Sequence, residues 1–318
     1  MRIAITGLWT PLGRQLVQRL CALDDPPTLL GLDRAPPLRT FPHFRFHGVD
    51  LTEPTADRAL AEVLREEGAD AVVHLAFRPF PSRDVAFDHE LEALGTLHLL
   101  SACADAGVQR LVVESSTMVY GCSPENPNLL EETHPLRGHP SDHQVQNRLE
   151  VERLVADWSQ RHPEVESTVL RHCWVMGPAY FDRVVEFFEN DRILTVLGWD
   201  PLLQFVHEED LLRAFERAIF ESHPGVFNVV GRGVAPLSTL IALAGKQRLA
   251  LPKSWLYRTA WLKSQRRTGD PPEGFFDYLR YLWVADGTRG WREFGDPLYS
   301  TREAWSAFVG SRRLRHHA

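Results

Sequence analysis

The residues Thr6-Gly7-Leu8-Trp9-Thr10-Pro11-Leu12-Gly13, with Asp33 twenty positions beyond Gly13, have the types and spacing to hold a dinucleotide. Gly7 permits a tight turn. Gly13 lets the following helix pack close to a sheet while its first-turn N–H groups face a pyrophosphate. A carboxylate at Asp33 accepts hydrogen bonds from both hydroxyls of an adenosine ribose. It also repels a 2′-phosphate, which favours NAD over NADP. Thr10 replaces the middle glycine of the usual fingerprint, where backbone and phosphate nearly touch. Pro11 removes one donor, although proline is tolerated in a first helical turn. The same residues could also form a structural turn that holds no nucleotide.

The elements that must position this turn are legible as alternation. An apolar strand from Arg2 to Thr6 precedes it, and the helix after it carries Leu12, Leu16, Val17 and Leu20 on one face. Further strands are predicted at 28–32, 44–49, 71–75, 110–115 and 168–175. Helical stretches are predicted at 56–66, 89–106 and 145–160. This order predicts an α/β fold with a doubly wound parallel sheet covered on both faces and ligands at the carboxyl ends of its strands. Segments 203–207 and 226–230 read as strands returning to that core. Residues 1–175, with 203–230, are expected to form the dinucleotide-binding domain, and 176–202 with 231–318 a smaller cap or substrate domain.

With 35 basic and 42 acidic side chains in 318 residues, the net charge is −7, which gives nucleic-acid binding no electrostatic support. Arg312, Arg313 and Arg315 are the exception and read as a frayed end. No apolar run is long enough to span a membrane, and the chain enters its first strand without a secretory signal. Cys21, Cys103, Cys122 and Cys173 have no paired spacing for a metal or a disulfide framework. A cytoplasmic location is the expectation.

Several short segments, taken in order, resemble the extended short-chain dehydrogenase/reductases of the NAD-dependent epimerase/dehydratase type. They are the turn with Asp33, Gly48-Val49-Asp50-Leu51, His74-Leu75-Ala76, and Glu114-Ser115-Ser116-Thr117-Met118-Val119-Tyr120-Gly121. Leu170-Arg171 with Gly177-Pro178, Phe205-Val206-His207 with Asp210, and Gly225-Val226-Phe227-Asn228 follow. The resemblance implies a Rossmann domain and an NAD site formed by Gly7, Thr10, Pro11, Leu12, Gly13, Asp33, Arg34, Asp50, Leu51, Leu75, Ala76 and Arg148. It implies a small-molecule substrate, a nucleotide-sugar or an apolar compound, near Tyr120, His172, Tyr180 and His207. It also implies a homodimer through the helical stretches 89–106 and 145–160.

This chain departs from the family where the chemistry is done. Relatives carry Tyr-x-x-x-Lys on one helix face, since residues four apart are neighbours. Aligning on Glu152-Arg153-Leu154 puts Gln144 and Arg148 in those places, and sliding by one puts His143 and Asn147 there. An amide has no titratable proton, so Gln144 orients an oxygen without acting as acid or base. Arg148 keeps a charge that can grip ribose hydroxyls. Glu92 stands where the family has a structural asparagine. Ser116 aligns with the family's catalytic hydroxyl and on its own positions a substrate oxygen. His143 is the substitute acid/base, with Asp142 beside it to raise its pKa; the alternative is a solvated histidine at a helix start capped by Ser141 or Asp142.

Further on, Leu251, Trp255, Leu256, Tyr257, Trp261 and Leu262 alternate with Lys253, Arg258 and Lys263 before Arg266-Arg267. The stretch reads as a packed cap helix, or alternatively as a membrane-surface or apolar-substrate face. Ser300-Thr301-Arg302-Glu303 reads as a capping box. Three functional classes remain open from sequence. They are an oxidoreductase or epimerase-like enzyme with a non-standard acid/base, a catalytically inactive NAD-binding sensor or scaffold, and a non-redox lyase or cyclase using the same cavity.

Overall fold

The computed structural model describes residues 1–39, 41–264 and 274–316. In chain order the first half is β1 (Arg2–Thr6), α1 (Pro11–Cys21), β2 (Thr28–Asp33), β3 (Phe44–Gly48), α2 (Ala56–Glu67), β4 (Ala71–His74), α3 (Val85–His89), α4 (Gly95–Ala106), β5 (Arg110–Ser116) and α5 (His143–Arg161). Then come β6 (Glu166–His172), β7 (Trp174–Met176), α6 (Arg183–Glu189), β8 (Arg192–Val196), β9 (Leu202–Leu203), β10 (Phe205–His207), α7 (Glu208–Phe220) and β11 (Gly225–Val229). The last elements are β12 (Ala235–Pro236), α8 (Leu237–Leu243), β13 (Gln247–Leu251), α9 (Lys253–Ser264), α10 (Phe275–Tyr278), α11 (Thr288–Phe294) and α12 (Thr301–His316).

Seven strands form one parallel sheet in the order β11-β6-β5-β4-β1-β2-β3. Strand order reverses between β1 and β4, and such a switch point opens a crevice at the carboxyl edge. Register sets the rim of that crevice: Thr6 lies opposite Leu32 and His74, Asp33 opposite Gly48, and Ser116 opposite His172. The inner strands are apolar on both faces, as a sheet covered twice requires. Leu16, Leu20 and Tyr120 pack on one side, and Leu60, Leu64, Leu99 and Trp158 on the other.

Three departures from the sequence reading bear on the site. The stretch expected as one helix from His89 to Ala106 begins at Val85 and contains a π-helical turn, Glu90–Leu94, between α3 and α4. The expected strand Thr168–Val175 breaks at Cys173, where β6 stays in the main sheet and β7 leaves it to pair in parallel with β10. Segment 203–207 splits similarly: β9 pairs with β12, and β10 with β7. A continuous apolar run specifies burial, not the partner strand.

Arg171 joins β6 to α5 through a buried ion pair with Glu152, and it also donates to the Tyr120 hydroxyl at 2.9 Å. Removing one partner of such a pair costs about 3–5 kcal/mol. The capping box forms: Ser300 N–H donates to Glu303 Oε2 at 2.7 Å, and Glu303 N–H donates to Ser300 Oγ at 3.3 Å. The basic tail does not fray at Arg312 and Arg313. Arg312 donates to the Pro178 and Tyr180 carbonyls and pairs with Glu189, while Arg313 donates to the Ala244 carbonyl. In the aromatic stretch Leu256 is buried and Trp255 exposed, and Arg266-Arg267 lie outside the described residues. Among the described residues no helix is long and apolar enough to cross a membrane.

Candidate active site

Two cavities lie along the carboxyl edge of the sheet. The outer one, about 310 Å³, is bounded by Gly7, Thr10, Asp33, Arg34, Val49, Leu51, Ala76, Phe87 and Leu91, among others. Its backbone frame depends on glycine at two positions. Gly7 has φ +74°, and a Cβ there would sit 2.2 Å from the Leu75 carbonyl oxygen; a Cβ on Gly13 would sit 2.1 Å from the Gly7 oxygen. Thr10, in place of a third glycine, caps α1: its hydroxyl donates to the Gly7 carbonyl at 2.8 Å and accepts from Gly13 N–H at 3.0 Å. The bulk of the threonine is thereby folded into the turn.

Asp33 ends β2 at the mouth of this cavity. Its Oδ2 accepts from Leu8 N–H at 2.9 Å and its Oδ1 from Arg34 N–H at 2.7 Å. Each carboxylate oxygen retains acceptor capacity for a hydroxyl. Burial raises its pKa above the ordinary aspartate value, against the opposing pull of the Arg34 and Leu8 N–H groups. Arg34 pairs with Asp50 at 3.1 Å, and Asp50 itself caps the turn at Thr52. Val49, Leu51 and Ala76 line the cavity, and Asp50 and Leu75 do not. With apolar walls, an acceptor at the ribose position and a helix N-terminus at one end, the outer cavity fits the adenosine half of a dinucleotide.

The inner cavity is far smaller, about 60 Å³, space on the order of a few water molecules. Pro11, Leu12, Phe77, Arg78, Glu114, Ser116, Gln144, Arg148, His172, Tyr180, Asp182 and Arg183 face it. A nicotinamide riboside does not fit the inner cavity as it stands.

Gln144 and Arg148 both face this cavity, whereas His143 is exposed and Asn147 is buried against Glu92. The first of the two registers considered from sequence is the one that brings a pair of side chains to the site. His143 points away because it stands about 100° round the helix from Gln144. Asp142 does not attend it either, being engaged by Arg183 at 2.8 Å and by the N–H of Val145.

Ser116 faces the cavity and accepts from Met118 N–H at 3.2 Å. His172 Nδ1 lies 2.8 Å from the Cys173 carbonyl, and its Nε2 lies 3.1 Å from Glu114 Oε1. Burial pushes Glu114 up, but Arg148 and His172 outweigh it and hold the carboxyl below the ordinary range. Arg148 lies 3.4 Å from Glu114 and stacks over the Phe77 ring at 4.5 Å. Its Nη1 has no hydrogen-bond partner among the described residues. Burial raises Tyr180 well above an ordinary tyrosine. Asp182 is pushed up to about 6 by burial, against the Val185 and Val184 N–H groups and the charges of Arg183 and His172.

Tyr120 and His207 do not reach either cavity. Tyr120 is carried into the interior by the 3₁₀ turn Thr117–Tyr120, where its hydroxyl donates to Asn228 Oδ1 at 2.7 Å. His207 caps α7, accepting from Glu209 N–H at 3.1 Å, with its ring stacked on Tyr299. Sequence reasoning missed Phe77, Arg78, Asp182 and Arg183. Their available signals were the position of Phe77-Arg78 immediately after the β4 segment and Asp182 as a helix cap before an apolar run.

The model of the NAD dependent epimerase/dehydratase family matches residues 3–230. An uncharacterized protein of Mycobacterium tuberculosis (strain ATCC 25618 / H37Rv) is 30% identical over 320 residues, covering 98% of this chain and 84% of that protein. Among solved structures, MoeE5 in complex with UDP-glucuronic acid and NAD superposes with a TM-score of 0.74 at 19% identity, covering 99% of this chain and 100% of that one. The UDP-glucose 4-epimerase of Thermus thermophilus in complex with NAD gives 0.73 at 22% identity, covering 98% and 99%.

Proposed function

Because the chain belongs to the NAD-dependent epimerase/dehydratase family, we propose that it binds NAD with the adenosine half in the outer cavity and acts as an oxidoreductase or epimerase-like enzyme with a non-standard acid/base. The observation that carries the cofactor reading is Asp33, whose two carboxylate oxygens keep acceptor capacity at the mouth of a cavity beside the N-terminus of α1. Asp33 favours NAD over NADP through charge. A neighbour's UDP-glucuronic acid supports a nucleotide-sugar as the substrate class here. Residues 1–175 with 203–230 then form the cofactor domain, and 176–202 with 231–318 the substrate side.

Bound NAD would supply the hydride acceptor only once Phe77, Arg78 and Pro79 give way, since its nicotinamide half has no room in the inner cavity as it stands. For the proton, Gln144 has no capacity and His143 lies outside; Glu114 is held by His172 and Arg148, and Tyr180 is raised well above an ordinary tyrosine, so Asp182 is the group on the wall best placed to take it. Its Oδ1 is committed to the N–H groups of Val184 and Val185 at 3.0 and 2.9 Å, while Oδ2 has no hydrogen bond among the described residues. A carboxyl with a pKa of about 6 on the cavity wall can take a proton from a substrate hydroxyl near neutral pH. Ser116 would orient that oxygen.

The second reading, a nucleotide-binding protein without turnover, is favoured by Gln144, whose amide is spent on the Arg78 carbonyl at 2.8 Å. Calorimetric titration with NAD, NADH, NADP and NADPH tests the cofactor reading. Tight NAD binding that Asp33→Ala weakens about tenfold or more supports it, and no binding to any of the four overturns it. Turnover of UDP-glucose or UDP-glucuronic acid that Asp182→Asn lowers about a hundredfold supports the enzyme; an active Asp182→Asn overturns the role of Asp182. Pairing of two copies through α4 and α5 is part of the proposal, supported by the exposed Leu97 on α4 and Leu94 at the end of the π turn before it, and sedimentation checks it.

A further inference from the structure

Two of the positions at which this chain departs from its family beside the site, Gln144 and Glu92, hold the backbone of the same residue, Arg78. Arg78 N–H donates to Glu92 Oε1 at 2.8 Å, and the Arg78 carbonyl accepts from Gln144 Nε2 at 2.8 Å. The other oxygen of Glu92 accepts from Asn147 Nδ2 at 2.9 Å, so the π turn, α5 and the segment after β4 are locked together. The Arg78 side chain is engaged as well, 3.0 Å from the buried Asp88. One residue on, the Pro79 carbonyl accepts from Arg183 N–H at 3.1 Å, which fastens the segment to the start of α6.

This segment lies between the cavities. Phe77, Arg78 and Pro79, together with Thr10, face both. The Phe77 ring is buried, 5.1 Å from the His74 ring and with the Arg148 guanidinium over it at 4.5 Å. His74 supports it rigidly: its Nδ1 lies 2.7 Å from Thr6 Oγ1 and its Nε2 2.8 Å from Thr96 Oγ1, and Thr96 donates to the Glu92 carbonyl. The carboxyl ends of β1 and β4 and the π turn therefore brace the same aromatic ring.

We infer that Gln144 and Glu92 fasten Phe77-Arg78-Pro79 as a partition between the two cavities, so that the site selects an adenosine diphosphate group, as in ADP-ribose, and resists the second half of a dinucleotide. The inference rests on the proposed assignment of the outer cavity to adenosine. In this arrangement the residue standing in the place of the family's tyrosine is a positioning residue. It acts through a backbone carbonyl on what can enter, and touches no reacting atom. Seating the nicotinamide half means displacing a buried phenyl ring and two hydrogen bonds, a cost of roughly tenfold or more in affinity that cancels what its own contacts would add.

The experiment titrates the purified full chain calorimetrically with NAD and with ADP-ribose, and follows amide exchange at Arg78 without ligand. The expected result for the unmodified chain is a pair of dissociation constants within about threefold of each other, the nicotinamide adding nothing. Phe77→Ala and, separately, Gln144→Ala should each shift the ratio about tenfold in favour of NAD. Gln144→Ala should also accelerate exchange at Arg78 by about tenfold. NAD binding about tenfold tighter than ADP-ribose in the unmodified chain overturns the partition while leaving the adenosine site standing. Binding of neither ligand overturns the adenosine site and the partition with it. Unchanged Arg78 exchange in Gln144→Ala overturns the role given to Gln144, whatever the ligands do.

Discussion

The outer and inner cavities lie on the same sheet edge, yet the sequence has treated them differently. In the outer one, backbone demands are met: Gly7 and Gly13 sit where no Cβ has room, and Asp33 ends its strand at the cavity mouth. In the inner one the space itself is reduced, and the groups that fill it hold one another. Gln144 holds Arg78, Arg148 covers Phe77, and Glu114 holds His172. The contrast separates constraints that a fold imposes from constraints that a reaction imposes. A Cβ at Gly7 or Gly13 is excluded whatever the turn holds, whereas Gln144 keeps its place through a partner of its own, the Arg78 carbonyl.

The most severe way to break this comparison is at Gly7. Alanine there faces a left-handed φ and a carbonyl oxygen 2.2 Å from its Cβ, with backbone on both sides of the contact. The backbone strain alone is of order 1–3 kcal/mol, and relieving the clash requires β1 and β4 to separate. Gly7→Ala is expected to lower the thermal midpoint by about 10 °C or more, or to yield no folded protein. Differential scanning calorimetry of the variant reads this directly. A midpoint within a degree of the original would show that the turn is not bound by its glycine.

A smaller effect sharpens the inner side of the comparison. Glu92 is buried and pushed up to about 7, chiefly by burial, with Asp88 adding to the shift and Arg148, the Arg78 N–H and Asn147 opposing it. Because its folded pKa exceeds the unfolded value, the folded chain keeps a proton that the unfolded chain has already released. The contribution of Glu92 to stability is therefore greatest in acid and falls as pH rises from about 4.5 through about 7. Glu92→Gln removes the titration, and Asn147 can turn to present its oxygen to the new amide. Thermal midpoints at pH 5 and pH 7 should therefore fall less with rising pH in Glu92→Gln than in the unmodified chain. Equal slopes would mean that Glu92 stays ionised in the fold.

The outer cavity was largely legible in the sequence because each of its requirements is local. Gly7, Gly13 and Asp33 are read from a strand, a turn and a helix that follow one another directly. The inner cavity was not, because Phe77, Glu114, Gln144, His172 and Asp182 come from separate segments and meet only through the sheet register. The two alignments of α5 also satisfied the same four-residue spacing, and only burial tells them apart. Tyr120 and His207 were misread for a related reason: a 3₁₀ turn and a helix cap redirect side chains that would otherwise face the strand ends. The π turn at Glu90–Leu94 inserts a residue into a helical pattern without interrupting it, and Gly95 directly after it keeps helical dihedrals, so the run reads as one helix.

The smallest expected effect concerns His143, and it follows from exposure. His143 is the first residue of α5, exposed beyond its Asp142 cap, and that cap is held by Arg183 rather than by His143. His143→Ala should therefore change stability by less than about 0.5 kcal/mol, read as a thermal midpoint. NAD affinity should be the same as in the unmodified chain, since neither cavity includes His143. A large loss of NAD affinity or of turnover in His143→Ala would show that α5 rotates on binding, and would bring the other register of the helix into the site.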